Sequence, residues 1–184
     1  PPIILMTLGL DSAKEEMDTN EKVFLERGMA TLVFDGPGQG ESEYEQPICP
    51  EYEVPVKSVI DWLEKRNDVD SDRVGIWGVS LGGYYAPRAA AFEERIKACI
   101  SLTGPFKLIE CFNELPGLTK SAFIYRSHSP DEEQAKEIAA RMSLENVAEK
   151  IKCPLYVVAG KLDRVIPHQQ AVKLSQTASG EVVL

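Results

Sequence analysis

Histidine is the scarcest chemically useful residue in this sequence: 184 residues carry only two, His128 and His168. The four cysteines, Cys49, Cys99, Cys111 and Cys153, form no C-x-x-C pair and no Cys/His ligand spacing, so no metal site is expected. A chain of this length needs no disulfide staples, and reduced thiols in a cytoplasmic protein are the expectation. No apolar run approaches the roughly 20 residues that span a bilayer. The longest covers residues 1–10, and no basic stretch precedes it as a signal peptide would require. Positive charge is in deficit as well. With 20 Lys and Arg against 29 Asp and Glu, the net charge is −9, a field that repels phosphate backbones and anionic lipid. Neither nucleic acid nor a membrane is therefore expected as a partner.

What the chain has is alternation. At 43% hydrophobic and 27% charged residues it has the balance of one soluble globular domain. Residues 2–8 form a short apolar run closed by Gly9, as suits a strand buried on both faces. Ser12 and Glu15 then have capping-box spacing, Met17, Phe24 and Leu25 supply an apolar stripe, and Gly28 a stop, which together predict a helix. Residues 30–34 read as a second strand, and Val56, Val59, Ile60 and Leu63 recur at helical spacing. Residues 73–79 and 96–102 read as third and fourth strands around an Ala-rich helix at 84–93. Residues 104–150 break this rhythm with several Gly and Pro interruptions and predict a helical insertion. One helix within it is clear: Ser129, Pro130 and Glu132 sign its start, and Ala135, Ile138, Ala139 and Met142 its buried stripe. A fifth strand at 154–159, a helix from Pro167 and the start of a sixth strand at 181–184 complete a pattern that specifies a mostly parallel sheet wrapped by helices.

Chemistry concentrates in Gly78-Val79-Ser80-Leu81-Gly82, a G-x-S-x-G set between a predicted strand and a predicted helix. A nucleophile on a sharp strand-to-helix turn needs small neighbours, because the chain crowds itself there. Leu81 N–H, at the start of the helix, would then face a developing oxyanion. The order Ser, then acid, then His is expected. Asp163 follows the fifth strand and reaches the same carboxyl edge of the sheet as Ser80. Neither histidine fits the third place: His168 is too near Asp163 in sequence, and His128 belongs to the insertion. The catalytic histidine is thus expected to be absent from this chain. Leu10 N–H, after the first strand, is the natural second oxyanion donor, although the same turn also reads as a plain helix cap by Asp11 or Ser12. The stretch Asp35-Gly36-Pro37-Gly38-Gln39-Gly40 lacks the lysine of a P-loop and the ribose-binding acid of a dinucleotide site, and reads as a tight turn near the site rim.

With these residues in place, the chain resembles the α/β-hydrolase superfamily across nearly its whole length. Residues 9–16 (GLDSAKEE), 35–41 (DGPGQGE), 78–88 (GVSLGGYYAPR) and 97–106 (KACISLTGPF) look like the branch that holds 2,6-dihydroxypseudooxynicotine hydrolase and fungal pigment hydrolases that shorten polyketide chains. The resemblance implies a serine hydrolase that cleaves a carbon-carbon bond beside a ketone, or an ester, with Ser80 and Asp163 in the first two triad places and no match to the third. It implies no metal or organic cofactor and a small-molecule carbonyl or ester substrate. It also implies further sequence at both ends, so that residues 1–184 would be one incomplete hydrolase core with 104–150 as part of a lid. A cap carboxylate is expected to assist some members of the branch, and Glu110 and Glu114 lie in the corresponding region. Two other readings stand beside this one: a carboxylesterase or thioesterase, and a hydrolase-fold binding module without catalysis. An exposed sheet edge would favour a homodimer.

Overall fold

The structure is a computed structural model that describes residues 1–184. Each predicted strand is present: β1 (Pro2–Thr7), β2 (Ala30–Val33), β3 (Asp70–Val79), β4 (Ile96–Leu102), β5 (Leu155–Val158) and β6 (Val182–Val183). They form one sheet in the order β2-β1-β3-β4-β5-β6, with every neighbouring pair parallel. The helices are α1 (Asp18–Leu25), α2 (Glu53–Leu63), α3 (Gly82–Phe92), α4 (Ile109–Phe112), α5 (Gly117–Arg126), α6 (Glu132–Arg141) and α7 (Gln169–Thr177), with 3-10 turns at Lys14–Glu16, Gly40–Tyr44 and Ala148–Lys150. This is the α/β-hydrolase architecture, a parallel sheet flanked by helices.

Strand alternation sorts the core into two. Ile3 and Leu5 of β1, Val74 and Ile76 of β3, Cys99 of β4 and Leu155 and Val157 of β5 point into the main core with α2 and α3. The residues between them, Met6 and Trp77, join Leu8 and Met17 on the opposite face, where α1 lies. That second face is covered only in part, since Ala98 and Tyr156 remain exposed. No helix is long and apolar enough to cross a membrane, and the four cysteines are unpaired. Burial pushes the Cys99 thiol well up, and that of Cys111 up to about 11, which keeps both protonated and inert at neutral pH.

Several local expectations are corrected. The Ser12–Glu15 capping box does not form; Glu16 accepts from Ala13 N–H instead, in a 3-10 turn, and α1 begins at Asp18. Leu25 is exposed rather than part of the buried stripe. In the insertion the N-cap is Asp131, whose carboxylate accepts from Gln134 N–H, so Ser129 and Pro130 precede α6 rather than start it. Residues 104–150 hold two short helices, α4 and α5, beside the clearly signed α6, plus an isolated bridge between Lys107 and Ser143.

Strand order decides where a site can lie. The chain runs from β1 outward to β2, then returns to place β3 on the other side of β1. A crevice opens outside the carboxyl ends of strands at such a reversal. The registers Thr7↔Gly78, Val79↔Leu102 and Leu102↔Val158 bring the ends of β1, β3, β4 and β5 side by side. Leu10, Ser80, Thr103 and Asp163 therefore emerge along one rim.

Candidate active site

Ser80 has φ 55°, in the left-handed region that non-glycine residues rarely adopt. The turn that holds it there is sterically closed. A Cβ at Gly78 would fall 2.0 Å from Gly82 O, and one at Gly82 would fall 2.2 Å from Thr7 O. Only glycine lets β3, β1 and the start of α3 approach this closely, which is why small residues flank the serine. The Thr7 hydroxyl donates to Gly82 O at 3.0 Å and adds a tie between β1 and α3. Ser80 N–H donates to Leu102 O at 2.9 Å, fixing the turn to β4 as well.

The Leu10 turn closes over this elbow, and a Cβ at Gly9 would lie 3.4 Å from the Cβ of Ser80. Leu10 and Leu81 are buried, yet the backbone N–H of neither donates to any acceptor in the protein. Both residues line the cavity at Ser80. A cavity of about 30 Å³ lies between Ser80, Leu10, Leu81 and the apolar side chains of Leu108, Leu115 and Phe123. It opens beside a cleft of about 370 Å³ that Ser80, Thr103, Thr119 and Asp163 also line. Ser80 and Asp163, singled out from separate strands, thus share one cleft.

Asp163 is half-buried and held by its own loop: Oδ1 accepts from Val165 N–H at 2.8 Å and Ile166 N–H at 3.0 Å. Its Oδ2 has no hydrogen-bond partner in the protein. Neither histidine reaches it or the serine. His128 is exposed and donates from Nε2 to Glu43 O at 2.6 Å, and His168 lines a different cleft with Tyr156, Val172 and Leu184. Glu110 and Glu114 are exposed and line neither cavity beside Ser80. Glu110 pairs with Lys173 at 2.5 Å and accepts from Gln170, and these two contacts hold its carboxyl below the usual carboxylate range. No cluster of three or more His, Cys, Asp or Glu side chains is placed to hold a metal ion.

Some residues of the rim are not evident from the motifs. Thr103 follows β4 with φ 51°, a strained geometry for a β-branched residue, and its N–H donates to Val158 O at 2.7 Å. Its place just past a strand end, beside Ser80, was the available signal. Thr119 and Phe123 come from α5, which the broken pattern of 104–150 conceals. Arg126 at the end of α5 donates from Nη1 to Leu10 O at 2.6 Å and pairs with Glu43 at 3.1 Å, pinning the insertion to the Leu10 turn. Gln170, 4% exposed, accepts at Oε1 from Phe106 and Lys107 N–H, each at 2.9 Å, and ties α7 to the start of the insertion.

Comparison with known proteins adds a family. The model of the prolyl oligopeptidase family matches residues 15–181. Over 165 residues, 89% of this chain, the sequence is 39% identical to 2,6-dihydropseudooxynicotine hydrolase of Paenarthrobacter nicotinovorans, of which it covers 45%. It is 40% identical over 116 residues to 20-hydroxy-prefusarin hydrolase FUS2 of Gibberella moniliformis, covering 59% of this chain and 27% of that one. Among solved structures, 2,6-dihydroxy-pseudo-oxynicotine hydrolase superposes with a TM-score of 0.92 at 36% identity, over 98% of this chain and 52% of that chain. The chain therefore spans about half the length, or less, of the relatives it matches.

Proposed function

The chain belongs to the prolyl oligopeptidase family of α/β-hydrolases, and from that premise we propose that it carries the nucleophile, the acid and the oxyanion donors of a serine hydrolase acting on a small-molecule ketone or ester. Ser80 Oγ attacks the carbonyl carbon, and the oxyanion that forms accepts from Leu81 N–H and Leu10 N–H. The serine proton passes through a histidine base to the leaving carbanion or alkoxide as the carbon-carbon or ester bond breaks, and water then releases the acyl group. Asp163 orients that histidine through Oδ2, and the histidine is supplied from outside residues 1–184.

The observation that carries this reading is the pair of unpaired backbone N–H groups beside a serine in the left-handed conformation. Two of its relatives, 2,6-dihydropseudooxynicotine hydrolase and 20-hydroxy-prefusarin hydrolase FUS2, are named for small organic substrates, which favours such a substrate over a peptide. The apolar lining by Leu108, Leu115 and Phe123 suits the acyl part of such a compound. We propose residues 104–150 as part of the lid over it. The absence of either histidine from the cleft favours a second reading for the isolated chain, a fold that binds but does not turn over.

Intact mass after incubation with a fluorophosphonate, on the full-length protein, tests the assignment. One adduct on Ser80 is expected, with none in Ser80→Ala and with hydrolysis of both an aryl ester and a β-diketone lost while the thermal melt is unchanged. Unchanged turnover in Ser80→Ala would overturn it. The ratio of the two turnover rates then separates an esterase from a carbon-carbon hydrolase.

A further inference from the structure

The turn Asp35-Gly36-Pro37-Gly38-Gln39-Gly40 holds one side chain that does not point to solvent. Gln39 is 1% exposed, and its Nε2 donates to Leu8 O at 3.0 Å and to Gly9 O at 2.8 Å. Its Oε1 accepts from the hydroxyl of Tyr52 at 3.1 Å. Burial keeps the Tyr52 phenol protonated far above neutral pH, so it acts as a donor and fixes which end of the carboxamide faces the two carbonyls.

Gly9 O belongs to the same peptide unit as Leu10 N–H. A donor on the oxygen of an amide fixes the plane of that amide and draws charge toward the oxygen, which makes its N–H a stronger donor. The other contact, on Leu8 O, stops the preceding unit from rotating. The N–H so held has no partner in the protein, and its residue lines the Ser80 cavity.

We propose that Gln39, oriented by Tyr52, is a positioning residue that aims and polarises the Gly9–Leu10 peptide as an oxyanion donor. This rests on the serine-hydrolase reading of Ser80. Gln39 touches no substrate, and its effect appears in the rate of the chemical step rather than in substrate binding.

The test is steady-state kinetics and fluorophosphonate labelling of the full-length protein in Gln39→Met and Tyr52→Phe. Tyr84→Phe serves as a control, since it removes another buried hydrogen bond, Tyr84 hydroxyl to Pro50 O at 2.8 Å, away from the donor turn. Removing an oxyanion donor outright lowers kcat by about 100- to 1000-fold, and misaiming one in Gln39→Met is expected to lower it by about 10- to 100-fold. KM should stay within about twofold and the labelling rate should fall in step with kcat. Tyr52→Phe, which leaves Gln39 in place but free to turn, should give a smaller loss of the same kind. A purely structural role lowers the melting temperature in all three variants and kcat in none, and that result overturns the proposal. If Gln39→Met does not fold, an unchanged kcat in Tyr52→Phe overturns it alone. Ser80→Ala, run alongside, separates the two levels: retained turnover there refutes the serine reading itself, whereas lost turnover there with unchanged kcat in the Gln39 and Tyr52 variants refutes only the positioning role.

Discussion

Two walls of the same cleft are held in place by different physics. Around Ser80 the backbone is fixed by approach distance: Gly78 against Gly82, Gly82 against Thr7, and Gly83 against Gly104, each too close for a Cβ. Across the cleft, residues 104–150 pack Phe112, Phe123, Ala139, Met142 and Leu144 into the main core and are also held by side chains that reach over space. Gln170 holds Phe106 and Lys107, Arg126 holds Leu10, and Lys107 pairs with Glu145 at 2.5 Å. A steric lock has no partly open state, whereas polar ties break and re-form one at a time. Ser80 thus sits on the wall set by backbone approach and the apolar lining on the wall set by side chains. The cavity of about 30 Å³ beside Ser80 holds about one water.

The comparison breaks most sharply at Gly82→Ala. The added methyl meets Thr7 O at 2.2 Å, so β1 and α3 must separate. A cost of about 3 kcal/mol is expected, seen as a fall of about 6–12 °C in melting temperature. Labelling of Ser80 should vanish, and a melt within about 2 °C of wild type would remove the steric account. Gln170→Leu probes the other wall, leaving the N–H groups of Phe106 and Lys107 without their acceptor. About 1–3 kcal/mol of stability should be lost, with hydrogen exchange accelerated in α4 to α6 and unchanged in β1 and β3. Exchange that rises equally in both walls would show that they are one unit. The smallest effect is expected from raising salt to about 0.5 M, which screens the partly exposed Lys107–Glu145 and Lys173–Glu110 pairs. The loss of stability should be small, confined by hydrogen exchange to residues 104–150 and α7.

The rigid wall is also the legible one. Ser80 follows from G-x-S-x-G because its constraint is local: the residues that crowd the turn are its own neighbours in sequence. Asp163 follows from its place at a strand end. The N-caps were misplaced by a few residues because several acceptors compete within one turn, and Glu16 and Asp131 win where Glu15 and Ser129 carry the pattern. The wall held by side chains is least legible. Its helices α4 and α5 are short and broken by Gly and Pro, and what orders them is contact with distant carbonyls, as in Arg126 to Leu10. Gln39 read as part of a turn for the same reason, since no local spacing shows that its side chain ends on β1's far loop.

The sheet order also sets a timetable. Leu10 follows β1 and Leu81 follows β3, and the two come together only when Thr7 reaches register with Gly78, after all of β2 and α2 have been made. Asp163 arrives still later, once β5 has paired with β4. A chain growing from its N-terminus therefore holds Leu10, Ser80 and Leu81 before it holds Asp163. Pairings so distant in sequence also close slowly. The strands that frame Ser80 thus leave the ribosome before the loop that brings Asp163 to the same rim.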